Sequence, residues 1–212
     1  MIFDELKRLQ EELARKIVLK PLERLPEIVA GADVSYARKE KRSYGVLAVL
    51  RLPELEEVDQ AVAEEETPFP YVPGFLSFRE VPVLKKAFAR LKRRPEVLLV
   101  DGQGILHPRG LGLASHLGLE LGIPTIGVAK KPLCGEFDWP ADRAGAWKPI
   151  YLEGEVKGAV LRTRKGVKPV FVSPGHLVDL ESALEVVQRC LVGYRLPEPI
   201  RKAHLLSQRV KK

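Results

Sequence analysis

Apolar residues recur at Phe3, Leu6, Leu9, Leu13 and Ile17 with polar neighbours between them, and this period predicts an amphipathic helix over 3–19. The pattern then changes. Residues 28–36, 44–51 and 55–63 are three β-favouring runs joined by the polar link 37–43 and by Leu52-Pro53-Glu54, which predicts an antiparallel meander. After a loop over 64–74, a helix is expected over 77–94, then strand 97–101, a glycine-rich turn, helix 113–121 and strand 125–129. Helix, strand, helix, strand implies parallel pairing, so the sheet should be mixed. Further strands are predicted over 148–153, 156–163 and 169–172, separated by Glu153-Gly154-Glu155 and Arg164-Lys165-Gly166 turns. Two helices close the chain: 180–194, with Asp179 as N-cap, and 198–210 behind Pro197.

Composition narrows what these elements can form. At 212 residues, 45% hydrophobic and 30% charged, with no repeat or low-complexity linker, the chain is expected to be a single α/β domain. No apolar run approaches the roughly 20 residues that span a bilayer. Met1–Arg8 lacks the three-part pattern of a secretory leader, so a soluble, cytoplasmic protein without membrane contact is expected, with a monomer as the simplest state. Cys134 and Cys190 stand in no ligand spacing and read as small hydrophobes rather than a disulfide or zinc pair. The net charge of +7 suits a polyanionic partner. Asparagine is absent, methionine occurs once and prolines number 17, a pattern expected of a heat-adapted source.

Three carboxylates stand where burial makes them costly: Asp33 within Ile28–Tyr36, Asp101 closing Val97-Leu98-Leu99-Val100-Asp101, and Glu80 after Phe75-Leu76-Ser77-Phe78-Arg79. A carboxylate withdrawn from water needs a cation or a metal. Several from separate segments meeting at one point make a hard-cation site for Mg²⁺ or Mn²⁺. Taken singly, Asp33 could be a salt-bridged strand residue, Glu80 a helix-start carboxylate and Asp101 a turn residue before Gly102. Together they imply metal-assisted chemistry on a nucleic acid.

Three antiparallel strands, a helix and then a parallel strand is the chain order of the ribonuclease-H-like fold. If 97–101 pairs beside 28–36, the strands lie about 4.8 Å apart, so Asp33 and Asp101 can reach one ion, with Glu80 brought to the same edge. Pro70-Tyr71-Val72-Pro73-Gly74-Phe75-Leu76-Ser77-Phe78-Arg79-Glu80, Val100-Asp101-Gly102-Gln103-Gly104 with His107-Pro108-Arg109, Gly127-Val128-Ala129-Lys130-Lys131 and Ser173-Pro174-Gly175-His176 resemble endonuclease V over nearly the whole chain. The resemblance implies hydrolysis of the second phosphodiester bond 3′ to a deaminated base, chiefly hypoxanthine, in deoxyinosine-containing DNA with Mg²⁺ or Mn²⁺; action on inosine-containing RNA stays open. It also implies metal binding by Asp33, Asp101 and Glu80, an active-site lysine at Lys130 and a catalytic histidine at His204. Gly74, Leu76, Gly102, Gly104, His107, Gly112 and Leu133 match positions lining the base pocket.

The residues supply reasons of their own. In Pro70-Tyr71-Val72-Pro73 two prolines stiffen a loop around an aromatic and an aliphatic side chain, a wedge suited to the gap left by a flipped base. Gly74, Gly102, Gly104 and Gly112 would let backbone amides approach a flat base. The Gly102–Gly112 loop fits neither a dinucleotide fingerprint nor a P-loop. His116 reads as structural and His176 as intermediate. The basic runs over 85–94 and 162–168 read first as solvated faces. A non-catalytic nucleic-acid-binding module on the same fold and a small-molecule phosphate binder are the competing readings.

Overall fold

The first helix of the computed structural model, which describes residues 2–37, 40–67 and 72–211, is α1 (Ile2–Ala14). It stops short of residue 19 because the backbone beyond it is engaged elsewhere. The Val18 amide donates to His176 Nδ1 at 3.2 Å, and Val18 O accepts from the Leu177 amide at 2.7 Å. Strands β1 (Ile28–Ala37), β2 (Arg42–Arg51) and β3 (Glu56–Glu66) form the expected meander. β3 runs three residues past the hydrophobic signal because its acidic end lies against Arg42-Ser43-Tyr44, with Arg42 to Glu64 at 2.8 Å. Charge pairing there replaces apolar burial.

Helix α2 (Leu76–Ala89) leads to β4 (Val97–Val100). It ends before residue 94 because Asp59 Oδ2 accepts the Lys92 and Arg93 amides at 2.7 and 2.8 Å. Helix α3 (Leu113–Leu121) and β5 (Thr125–Ala129) follow as expected. Next come β6 (Trp147–Leu152), β7 (Glu155–Leu161) and β8 (Val170–His176). β8 extends through Ser173-Pro174-Gly175, past the expected strand 169–172, because a register shift at Thr125/Ile126 places Pro174 opposite Ile126. Helix α4 (Leu180–Arg189) is capped by Asp179, which accepts from the Ser182 amide at 2.8 Å, and α5 (Glu198–Val210) follows Pro197. α4 stops before residue 194, where Cys190 O accepts the Glu198 amide at 2.8 Å and the chain turns into α5.

Among the described residues, eight strands join one sheet in the order β3-β2-β1-β4-β5-β8-β7-β6, with β1–β4 and β4–β5 parallel and the remaining pairs antiparallel. This is a mixed α/β sheet of ribonuclease-H-like order, lengthened by three strands beyond β5. Strand alternation sends Ala30, Ala32, Leu47, Val49, Leu98 and Val100 to the α2–α3 side and Val29, Val46, Val97, Leu99 and Ile126 to the α4–α5 side. Ile200 and Ala203 of α5 are fully buried in the second layer, and a fully buried aliphatic side chain contributes roughly 1.5–3 kcal/mol. A Cβ at Gly31 would run into the backbone of Pro199 and Ile200. That missing side chain lets α5 lie directly on β1.

Among the described residues, no helix is long and apolar enough to cross a membrane.

Candidate active site at the sheet edge

Parallel pairing aligns Ala32 with Val100, and the next residue in each segment is an aspartate. The Asp101 amide donates to Ala32 O at 3.0 Å, which carries the register one step past the end of β4. Odd positions 29, 31 and 33 of β1 share a face with 97 and 99 of β4, so Asp33 and Asp101 both point to the side covered by α5. The helix completes the group. Ligand-capable atoms of Asp33, Asp101 and His204 all lie within 4.8 Å of one another, and the His204 Nδ1 to Asp33 Oδ2 distance is 3.0 Å.

Glu80 is not one of these three. It comes from α2, on the opposite side of the sheet, and is buried with Oε1 accepting the Tyr36 hydroxyl at 2.6 Å. It stands behind the two aspartates, close enough to feel their charge. Burial foremost pushes its carboxyl up to about 8, the Tyr36 hydrogen bond opposes that rise, and the charges of Asp33 and Asp101 add to it. Burial likewise raises Asp101, against the pull of Lys130 and with a further push from Asp33. The Tyr36 phenol rises far above its usual value through burial and the neighbouring Glu80.

Two like charges about 5 Å apart repel by roughly 3 kcal/mol at an effective dielectric near 20. Lys130, whose Nζ pairs with Asp101 Oδ2, and Arg79, stacked 3.7 Å above the Tyr36 ring, answer part of that charge. Two carboxylates facing one point, with a third acid behind them, are a donor set that fits a hard divalent cation, and the imidazole stands beside it.

Three residues that the sequence does not single out hold this geometry. Ser207 Oγ donates to Asp33 Oδ2 at 2.7 Å. Tyr36 restrains Glu80. Arg195 donates to the carbonyls of Lys130, Lys168 and Pro169 at 2.7, 2.9 and 3.1 Å, which fixes the backbone from which Lys130 projects. Each partner is at least 26 residues away in sequence, so no local motif could reveal it.

The expected base-recognition residues are less uniform. Pro70 and Tyr71 lie outside the described residues, and Val72 and Pro73 lead into Gly74. Gly74 has φ +80°, and its carbonyl accepts from Gln10 Nε2 at 2.9 Å and Arg109 Nη2 at 2.8 Å. His107 is buried, and burial, then the Arg109 charge, holds it down near 4. Leu76 opens α2 half-buried and Leu133 is exposed beyond Lys130. The glycine argument needs correction at two positions. The Gly104 amide donates to Ser173 Oγ at 2.8 Å and the Gly112 amide to Gly104 O at 2.9 Å, so neither amide is free for a base. A Cβ on either would strike the backbone of Pro174 or Gln103, which makes them packing glycines. At Gly102 the nearest atoms a Cβ would meet belong to the Leu113 side chain, at 3.3 Å and beyond.

His116 is structural as expected, 3.0 Å from Ser77 Oγ and edge-on to Phe78. His176 serves the backbone of Val18. In the 85–94 run, Lys85 and Lys86 pair with Glu120 and Glu65, and Arg90 and Arg94 bond to the carbonyls of Val62 and Phe88.

The Endonuclease V family model matches residues 11–205. Endonuclease V of Nostoc sp. is 48% identical over 200 residues, covering 94% of this chain and 90% of that protein. Crystal structures of Endonuclease V from Streptomyces avermitilis (TM-score 0.92, 40% identity, 98% of this chain and 92% of that one) and from Ciona intestinalis (TM-score 0.86, 30% identity, 99% and 96%) superpose on it. The Ciona protein is in complex with a 23mer DNA containing an inosine followed by a ribo-adenosine. Sequence and backbone agree from α1 to α5, and the chain belongs to the endonuclease V family, enzymes that act on DNA.

Proposed function

We propose that this chain is a Mg²⁺-dependent endonuclease, with Mn²⁺ as a substitute, that recognises hypoxanthine in DNA and hydrolyses the second phosphodiester bond on its 3′ side. The convergence of Asp33, Asp101 and His204 within 4.8 Å carries the reading. The Ciona relative's complex with inosine-containing DNA supports the choice of lesion. A bound divalent ion would lower the pKa of a water and offset charge on the phosphate. Asp33 and Asp101 would hold it directly. Glu80 contributes from behind, its Oε1 tied to Tyr36.

The remaining side chains divide the work. His204, with Nδ1 donating to Asp33, keeps Nε2 available to orient the attacking water and accept its proton. Water adds to phosphorus, the P–O3′ bond breaks, and the departing O3′ is protonated to give a 3′-hydroxyl beside a 5′-phosphate. Lys130 would hold a non-bridging phosphate oxygen. The stretch 70–73 would fill the gap left by the flipped base, and Gly74, Leu76, Gly102, His107 and Leu133 would shape its pocket, with Gly104 and Gly112 supporting the loop. The chain acts as one catalytic unit and a monomer, in the cytoplasm, with inosine-containing RNA as a second substrate to be tested.

An end-labelled duplex with a single deoxyinosine tests this directly. One nick at a fixed 3′ offset, present with Mg²⁺ and lost with chelator, is expected. Asp33→Ala and Asp101→Ala should abolish the nick while the duplex still binds. Binding without nicking by the unaltered protein would leave a non-catalytic binding module, and equal cutting of undamaged DNA would remove the base-recognition claim.

A further inference from the structure

Ser207 has no exposed surface, and its Oγ lies 2.7 Å from Asp33 Oδ2, the oxygen that also accepts from His204. The same Oγ is 2.9 Å from the carbonyl of His204 one turn back. A hydroxyl has one proton, and the charged, nearer partner takes it. The Ser207 carbonyl accepts from Ser35 Oγ at 2.8 Å, so alternate residues of β1 grip the same position of α5.

Asp101 is arranged alike, with Lys130 on its Oδ2. Among the described residues, every hydrogen bond to either aspartate side chain falls on Oδ2 and none on Oδ1. That leaves one oxygen of each, Oδ1, without a protein hydrogen bond and open to an ion. Mg²⁺ favours such single oxygens in a near-octahedral shell at about 2.0–2.1 Å, whereas Ca²⁺ takes about 6–8 ligands at longer range and accepts a carboxylate through both oxygens.

We propose that Ser207 is a positioning residue that confines Asp33 to binding through one oxygen and thereby sets the site's preference for Mg²⁺ over Ca²⁺. The inference rests on the metal reading above. Without the hydroxyl, His204 alone holds Oδ2, and the carboxylate is free to turn both oxygens toward a larger ion.

Titration calorimetry of the whole protein with Mg²⁺ and with Ca²⁺, without DNA, tests it. Ser207→Ala should weaken Mg²⁺ binding about tenfold, the usual scale for losing a partner of a metal ligand, and leave Ca²⁺ affinity unchanged or higher. Ser35→Ala loosens the same strand–helix contact without touching Asp33, and should preserve the ratio of the two affinities. Equal weakening of both ions by Ser207→Ala, or the same change of ratio in Ser35→Ala, would overturn the proposal. Ser207→Cys, close in size and a weaker donor, should give an intermediate ratio and carries the test if circular dichroism shows the alanine variant unfolded. Unaltered protein that binds neither ion would bring down the metal reading itself, and this inference with it.

Discussion

Gly31→Ala asks whether the chemistry depends on how closely α5 lies on β1. The new Cβ would be built into the Pro199 carbonyl group and 2.5 Å from the Ile200 amide nitrogen, backbone atoms that cannot rotate aside. Ordinary heavy-atom contact is about 3.5 Å and the Pro199 oxygen would stand only 2.0 Å from the new Cβ, so the start of α5 must retreat by about 1.5 Å. His204 and Ser207 follow Ile200 by one and two turns on the same face, so the retreat is passed to their contacts with Asp33, now 3.0 and 2.7 Å. Stretched beyond about 4 Å, those hydrogen bonds no longer exist. Overpacking costs about 1–3 kcal/mol, which lowers the melting temperature by roughly 2–4 °C per kcal/mol at this size and leaves the protein folded. A 1 Å misplacement costs on the order of 10²-fold in rate. Single-turnover nicking of a deoxyinosine duplex, read beside a thermal melt and a gel shift, should show that loss with binding retained. A folded variant nicking within about threefold of the parent, against the ~10²-fold expected, would refute the idea that this contact places His204 and Ser207.

His107 offers a pH test. Its folded pKa near 4 lies below the usual value of about 6.5, so between these values the unfolded chain binds a proton that the folded chain refuses. Stability is fully present above pH 6.5 and falls as the pH drops toward 4, by up to about 3 kcal/mol. Urea melts at both ends of that window should show a shallower decline in His107→Gln, and parallel declines would count against the assignment. Arg195→Ala should slow nicking about tenfold or more through loss of the hydrogen bonds that fix Lys130, while leaving duplex binding intact. Arg195→Lys should not restore the rate, because an ammonium cannot reproduce the guanidinium fork.

Asp33 inside one apolar strand run and Asp101 closing another were legible as exceptions to the strand pattern, whereas Lys130 and His204 were marked only by the resemblance to a known family. The meander, the parallel β4–β5 pair and the Asp179 cap were legible for the same local reasons. What escaped was tertiary. Ser207 meets Asp33 across 174 positions and Tyr36 meets Glu80 across 44, and no periodicity encodes either contact. The acidic end of β3 hid in a loop assignment because its pairing is ionic, and 173–176 hid because Pro-Gly ordinarily ends a strand. The glycines misled in another way: Gly104 and Gly112 lack a Cβ for the sake of neighbouring protein backbone, a need the sequence shows no differently from a ligand's.

The central claim is that Asp33 and Asp101 share one divalent ion. Anomalous diffraction from a Mn²⁺-soaked crystal of the protein measures this most directly. A single strong peak is predicted within coordination distance of both carboxylates, about 2.0–2.3 Å from one oxygen of each, and absent from Asp101→Ala crystals. A peak elsewhere, or none at saturating Mn²⁺, would contradict the account.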